Sequence, residues 1–175
     1  MKKISSILIL VLMLSSALLK AQWVNEGAWP DTSIKGQNHG MAVDPDGKIW
    51  ASNYGSENYI LQNGDTLKSV KLLRIFNPDG TQTSFSPMWN ITVEGVTDTF
   101  KASCVGMRTD PDGNIIYVNN ATPKMMYRIN YKTGEGMKKV ALNLGTNPTA
   151  PGIDANGNIF VGPVVNAGSH IEMYD

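Results

Sequence analysis

Of the 175 residues only one is cysteine, Cys104, so no disulfide can form within the chain and its stability must come from burial. Charge of neither sign is in excess, with 15 Lys and Arg against 15 Asp and Glu. A chain without a basic surface has nothing to offer phosphates, which argues against nucleic acid as a partner. Beyond the amino terminus there is no apolar run near the roughly 20 residues needed to cross a bilayer. No stretch there carries the 3.6-residue periodicity of an amphipathic helix either. These absences leave a chain that must bury its apolar side chains with short strands.

The amino terminus is a separate case. Met1-Lys2-Lys3 gives a positive start, Ile7 to Leu14 a short apolar stretch, Ser15-Ser16 a polar break, and Leu19-Lys20-Ala21 a small-residue end. That arrangement reads as a secretory signal peptide over residues 1–21, leaving Gln22 first in the mature chain with no Cys to take a lipid. Without Lys2, Lys3 and Lys20 the remaining 12 basic residues face 15 acidic ones, so the mature chain is mildly acidic. The expected location is outside the cytoplasm, in the periplasm, on the cell surface or in the medium, with no membrane span after cleavage.

The strongest signal is repetition. Gly40-Met41-Ala42-Val43-Asp44-Pro45-Asp46-Gly47-Lys48-Ile49-Trp50 returns as Gly106-Met107-Arg108-Thr109-Asp110-Pro111-Asp112-Gly113-Asn114-Ile115-Ile116. A shorter version follows as Gly152-Ile153-Asp154-Ala155-Asn156-Gly157-Asn158-Ile159-Phe160. In each, Asp accepts hydrogen bonds from amides further along, Pro where present presets φ, and Gly takes the left-handed conformation that ends the loop. This predicts a hairpin with a type I turn and a bulge. The residues behind the turn, Ile49, Ile115 and Ile159, share one register, and the aromatics Trp50, Tyr117, Tyr127 and Phe160 fall on strand positions expected in a core.

A second hairpin signal follows in the first two units: Leu72 to Phe76 runs into Asn77-Pro78-Asp79-Gly80, and Met126 to Asn130 runs into Tyr131-Lys132-Thr133-Gly134. Two hairpins make four strands, the content of one propeller blade. From Asp110 to Asp154 is 44 residues, within the roughly 40 to 45 of such a blade. From Asp44 to Asp110 is 66, so the first unit carries 22 more, twelve of them between its second and third strands and ten between its fourth strand and the next unit. The expected architecture is all-β: four-stranded antiparallel blades in an incomplete ring of about two and a half, at about 38–103, 104–147 and 148–175 within a domain of 22–175. Further blades are expected beyond Asp175.

In a meander both extra stretches leave on one face and the Asp-Pro-Asp-Gly turns on the other. Long loops on a rigid scaffold are where binding concentrates. The candidate binding residues are therefore Asn38, His39, Tyr54, Tyr59, Trp89, Asn120 and His170, with Tyr54, Tyr59 and Trp89 able to stack on a ring such as a sugar. The loops concerned are 54–70, 87–103, 120–124 and 166–170. The Asp turns themselves lack the bidentate Glu of a calcium loop. Cys104 shows no neighbouring base to activate it. Gly134-Glu135-Gly136 has no helix behind it to bind phosphate. No catalytic or metal residue is singled out.

The Gly-x-x-x-Asp-Pro-Asp-Gly-x-Ile-Trp run followed by an Arg-Ile hairpin resembles NHL-repeat propellers and the related six-bladed gluconolactonase and regucalcin-like propellers, over about residues 38–175. The resemblance implies two classes of function. One is a non-enzymatic recognition or scaffold module for a protein, peptide or glycan. The other is a metal-dependent lactonase or esterase-like hydrolase, whose family holds a divalent cation such as calcium through a Glu, two Asn and an Asp. Only Glu26-Gly27-Ala28-Trp29-Pro30 echoes the segment that carries the family's Glu. The recognition class is the expectation.

Overall fold

The computed structural model describes residues 25–30, 38–165 and 170–175. The signal-peptide segment 1–21 and loop positions 166–169 lie outside them. Fourteen strands follow in order: β1 (Asn38–Val43), β2 (Ile49–Asn53), β3 (Glu57–Ile60), β4 (Thr66–Val70), β5 (Leu73–Phe76), β6 (Asn90–Val93), β7 (Val96–Thr99), β8 (Cys104–Thr109), β9 (Ile115–Asn119), β10 (Met125–Ile129), β11 (Gly136–Ala141), β12 (Gly152–Ile153), β13 (Ile159–Val161) and β14 (Glu172–Tyr174). Among the described residues there is no helix.

Three antiparallel sheets carry the repeats: β1-β2-β5, β8-β9-β10-β11 in sequence order, and β12-β13-β14. The first lacks a regular fourth strand. Its outer edge is closed by isolated bridges from Leu73 to Met88 and from Phe76 to Gln82. The two insertions are hairpins, β3-β4 between the second and third strands and β6-β7 ahead of the next unit. Glu94 and Gly95, both at positive φ, form the two-residue link of β6-β7.

The turns explain why the repeats are spelled as they are. At Asp44, Asp110 and Asp154 the Gly N–H three residues on donates to the Asp carbonyl at 2.9, 2.9 and 3.1 Å. The carboxylate Oδ1 takes the amides two and four residues on, at 2.8–3.0 Å in every case. The closing glycines sit at φ of 78°, 90° and 88°, where a side chain would be strained. Asn77 opens the same kind of loop, with Gly80 N–H to its carbonyl at 2.9 Å. In the second unit the corresponding turn opens one residue earlier than the spelling suggests. Asn130 accepts from Gly134 at 2.9 Å and, through its side chain, from Lys132 at 2.9 Å.

Packing between sheets follows from strand alternation. Trp50, Ile75, Met107, Ile115, Tyr117, Tyr127 and Ile129 form one core between the first and second sheets. Ile116, Val118 and Met126 form another, with Val161 and the partly buried Ile153 and Ile159 of the third. Each fully buried large side chain contributes about 1.5–3 kcal/mol. Neighbouring residues on one strand thus serve opposite interfaces: Ile115 and Ile159 look back toward the preceding unit, and the half-buried Ile49 lies outside both cores.

Phe160 differs from the core expectation. It is 36% exposed, because its side of the third sheet has no neighbouring sheet among the described residues. The inner strands approach so closely that a Cβ on Gly40 would overlap the Cys104 thiol, and one on Gly106 would overlap Ala150. Glycine is required there by contact between units rather than by its φ.

Candidate functional site

At the end of the sheets opposite the Asp turns, the first strand begins, the second ends and the third begins. There the first and second units place Asn38, His39, Asn53, Tyr54, Lys71, Ser103, Cys104, Asn119 and Asn120. Asn38 pairs with Asn53 across β1 and β2. His39 Nδ1 lies 2.9 Å from the Cys104 carbonyl, which can only accept, so that nitrogen carries the proton. The imidazole meets the Tyr54 ring edge to face, with centroids 5.3 Å apart. Tyr54 itself is 52% exposed.

The Tyr54 carbonyl fastens this end together. It accepts from Ser103 Oγ at 2.9 Å and from Lys71 Nζ. The Lys71 ammonium also lies 6.0 Å from the centre of the Tyr54 ring, within cation–π range. Its backbone N–H donates to the Phe100 carbonyl at 2.7 Å. Burial lowers the Lys71 pKa below the ordinary lysine value. Asn120 donates its N–H to the Ser103 carbonyl at 3.0 Å, which brings the second unit's loop alongside.

The structure therefore draws Asn38, His39, Tyr54 and Asn120 to one end of the first two units. Three other candidates stand elsewhere. Tyr59 is half-buried on β3, opposite Leu67 of the inserted hairpin. Trp89 lines a separate cleft of about 300 Å³ with Phe85, Pro87 and Gly134. Its hairpin, β6-β7, lies against β11 rather than standing free: a Cβ on Gly136 would meet Thr92, Val93 and Ile91. Asp98 of that hairpin holds Lys139 at 2.8 Å and the Tyr127 hydroxyl at 3.1 Å. His170 is exposed, with Nε2 4.0 Å from Glu172.

Sequence reading passed over Lys71 and the two asparagines at the ends of β2 and β9. Lys71 is concealed in the apolar run Val70-Lys71-Leu72-Leu73. Asn53 and Asn119 occupy the same repeat position, 66 residues apart, and that recurrence was a usable signal. Their surroundings differ. Asn119 Oδ1 accepts from the Ala121 and Met125 amides at 3.1 and 3.3 Å. Asn53 instead donates to Glu57 at 2.5 Å, and its Oδ1 is buried without a partner, as is Ser52 Oγ next to it. The inserted hairpin has removed the short loop that would have satisfied Asn53.

Other chemistry is less apt. Cys104 is buried and its thiol is pushed up to about 12 by burial, so it is no nucleophile near neutral pH. Among the described residues no three His, Cys, Asp or Glu side chains come together as a metal site would require. Glu26 is exposed in an irregular segment.

A cavity of about 360 Å³ opens at the turn end, between the second and third sheets. Its floor is Ile116, Met126 and Ile159, and Arg128 at its wall is already held by Asp110 and Asp112, each at 2.7 Å. Polar groups so paired leave little for a ligand, and we favour the opposite end.

No protein-family model matches the chain, and no curated protein matches it by sequence. Solved structures do. Virginiamycin B lyase from Staphylococcus aureus superposes with a TM-score of 0.51 at 19% identity, covering 82% of this chain and 43% of the lyase. The architecture is that of a partial β-propeller. Also similar are a luciferin-regenerating enzyme, with TM-score 0.48, 13% identity and coverage of 77% of this chain and 40% of that one. A gluconolactonase gives 0.46, 18%, 75% and 43% respectively. The chain thus spans about two fifths of the propellers it resembles. At such identities the likeness establishes fold, and one scaffold of this kind hosts many activities.

Proposed function

We propose that this chain is the propeller portion of an exported recognition module that binds a glycan, without chemical turnover, through the end of the blades bearing His39, Tyr54 and Asn120. The observation that carries the reading is the half-exposed Tyr54 ring, braced edge-on by His39, with the exposed Asn38 and the half-buried Asn120 at the same end of the sheets. An aromatic platform beside amide groups suits a sugar, whose ring presents a C–H face to the aromatic and hydroxyls to the amides. The leader-like sequence at 1–21 supports an extracytoplasmic setting.

Binding to an array of oligosaccharides tests this, followed by titration calorimetry with the best of them. Tyr54→Ala is expected to weaken binding about tenfold, in line with the worth of an aromatic contact of about 1–1.5 kcal/mol. Retained affinity in that variant would remove the site from this face.

The second reading is a metal-dependent lactonase or esterase-like hydrolase, which draws on the architecture shared with the lyase. It requires oxygens from Glu, Asn and Asp converging in a channel. Calcium-dependent hydrolysis of a lactone by the chain, abolished by a chelator, would replace the recognition reading with this one.

A further inference from the structure

Four half-buried cations on or beside the sheets are each matched by a carboxylate. Lys48 reaches Asp46 at 2.5 Å, Arg74 reaches Glu57 at 2.7 Å, Arg128 reaches Asp110 and Asp112, and Lys139 reaches Asp98 at 2.8 Å. Among the described residues Lys71 is the only buried Lys or Arg, at 7% exposure, and none of their carboxylates makes an ion pair with it. Its partners are a neutral carbonyl and the face of an aromatic ring, both from Tyr54.

An ammonium taken out of water without a counter-charge is costly, and chains avoid it unless something returns the charge. Arg74 shows how the first unit could have neutralised a cation here, yet Glu57 gives both carboxylate oxygens to Arg74, at 2.8 and 2.7 Å. The ammonium has three donors, and the structure shows one of them used.

We propose that Lys71 selects the ligand's charge, and that the ligand is an acidic sugar whose ring stacks on Tyr54 while its carboxylate meets the Lys71 ammonium. This rests on the reading of the face as a glycan site and adds its chemical class. A uronic acid fits the arrangement of groups: an apolar ring face for the aromatic, hydroxyls for the exposed Asn38 and the half-buried Asn120, and one anion for the Lys71 ammonium.

Trigalacturonic acid and neutral galactotriose, titrated into the full chain by calorimetry, separate the possibilities. The acidic trisaccharide is expected to bind about ten- to a hundred-fold more tightly, the worth of a charge-assisted hydrogen bond. Lys71→Met keeps the buried stem and should collapse that ratio toward one. If that variant does not fold, the wild-type ratio should still fall as sodium chloride is raised, since neutral binding is not screened.

Equal affinity for the two trisaccharides would overturn the inference and leave the glycan reading standing. Failure of both to bind, alongside a negative oligosaccharide array, would overturn both. Binding of tetraglutamate as tight as that of trigalacturonic acid would show that charge alone is read, and would overturn the sugar assignment.

Discussion

The two ends of the same blades are built by opposite rules. At the turn end the Asp side chains are saturated: Asp44 is 4% exposed and takes the Asp46 and Lys48 amides and the Trp50 indole N–H at 3.0 Å. Asp110 takes the equivalent amides and the Arg128 guanidinium, and Asp154 takes them together with the Asn158 amide at 2.7 Å. At the loop end Asn53 Oδ1 is buried and unpaired, and Lys71 has no carboxylate partner among the described residues. Saturated polar groups hold a fold together, whereas an exposed aromatic beside accessible amides and a cation without a carboxylate is what a ligand can use. The repeated spelling of the turns is therefore a matter of folding, and the less regular end is where the proposed recognition site lies.

The comparison breaks most plainly at Asp44. Asp44→Ala strands two amides and the buried Trp50 indole, and is expected to cost about 3 kcal/mol in urea unfolding. A loss below about 1 kcal/mol would mean the turn end is not held as described.

A smaller contrast sets equivalent residues against each other. Asn119→Ala removes the acceptor of two backbone amides and should cost about 2 kcal/mol, while Asn53→Ala should cost less than about 1, because its Oδ1 holds nothing. Equal losses would contradict the difference in satisfaction between the two positions.

Cys104 gives a pH test at the loop end. Its folded thiol titrates at about 12 against about 8.5 for a free thiol, so the fold holds the protonated form. That contribution to stability is complete below about 8.5 and is lost progressively as pH rises toward 12, because the unfolded chain releases its proton first. Cys104→Ala should flatten this part of the stability profile, and native Cys104 should resist a thiol reagent until the chain unfolds. Rapid labelling at neutral pH would show the seam between β1 and β8 to be open.

The smallest expected effect on stability is at Lys71. Lys71→Met removes an unpaired charge and should leave the fold unchanged or firmer by up to about 1 kcal/mol, the reverse sign to Asp44→Ala. A clear loss of stability would mean that Lys71 is structural.

Much of this was legible in the sequence for a physical reason. A tight turn needs a particular residue at each position, so Asp44, Asp110 and Asp154 announced themselves, and their spacing counted the sheets. Trp50 and Tyr117 were correctly placed inside, whereas Phe160 was not, since burial depends on a neighbouring sheet that no local pattern can supply. The hairpin at β6-β7 was placed by arithmetic, but its packing on β11 comes from the three-dimensional meeting of Ile91 and Val93 with Gly136. Lys71 was hidden because hydrophobic patterning reads it as an exposed interruption. Only the structure shows that Tyr54, seventeen residues earlier, folds over it.

The central claim is that the loop end, not the turn end, meets the ligand. Backbone amide NMR of the labelled chain during titration with trigalacturonic acid tests it directly. The expected result is shifts at Asn38, His39, Asn53, Tyr54, Lys71, Ser103 and Asn120 that saturate together. Shifts confined to the turns at 44–48 and 110–114, with the Tyr54 and Lys71 signals unmoved, would contradict it.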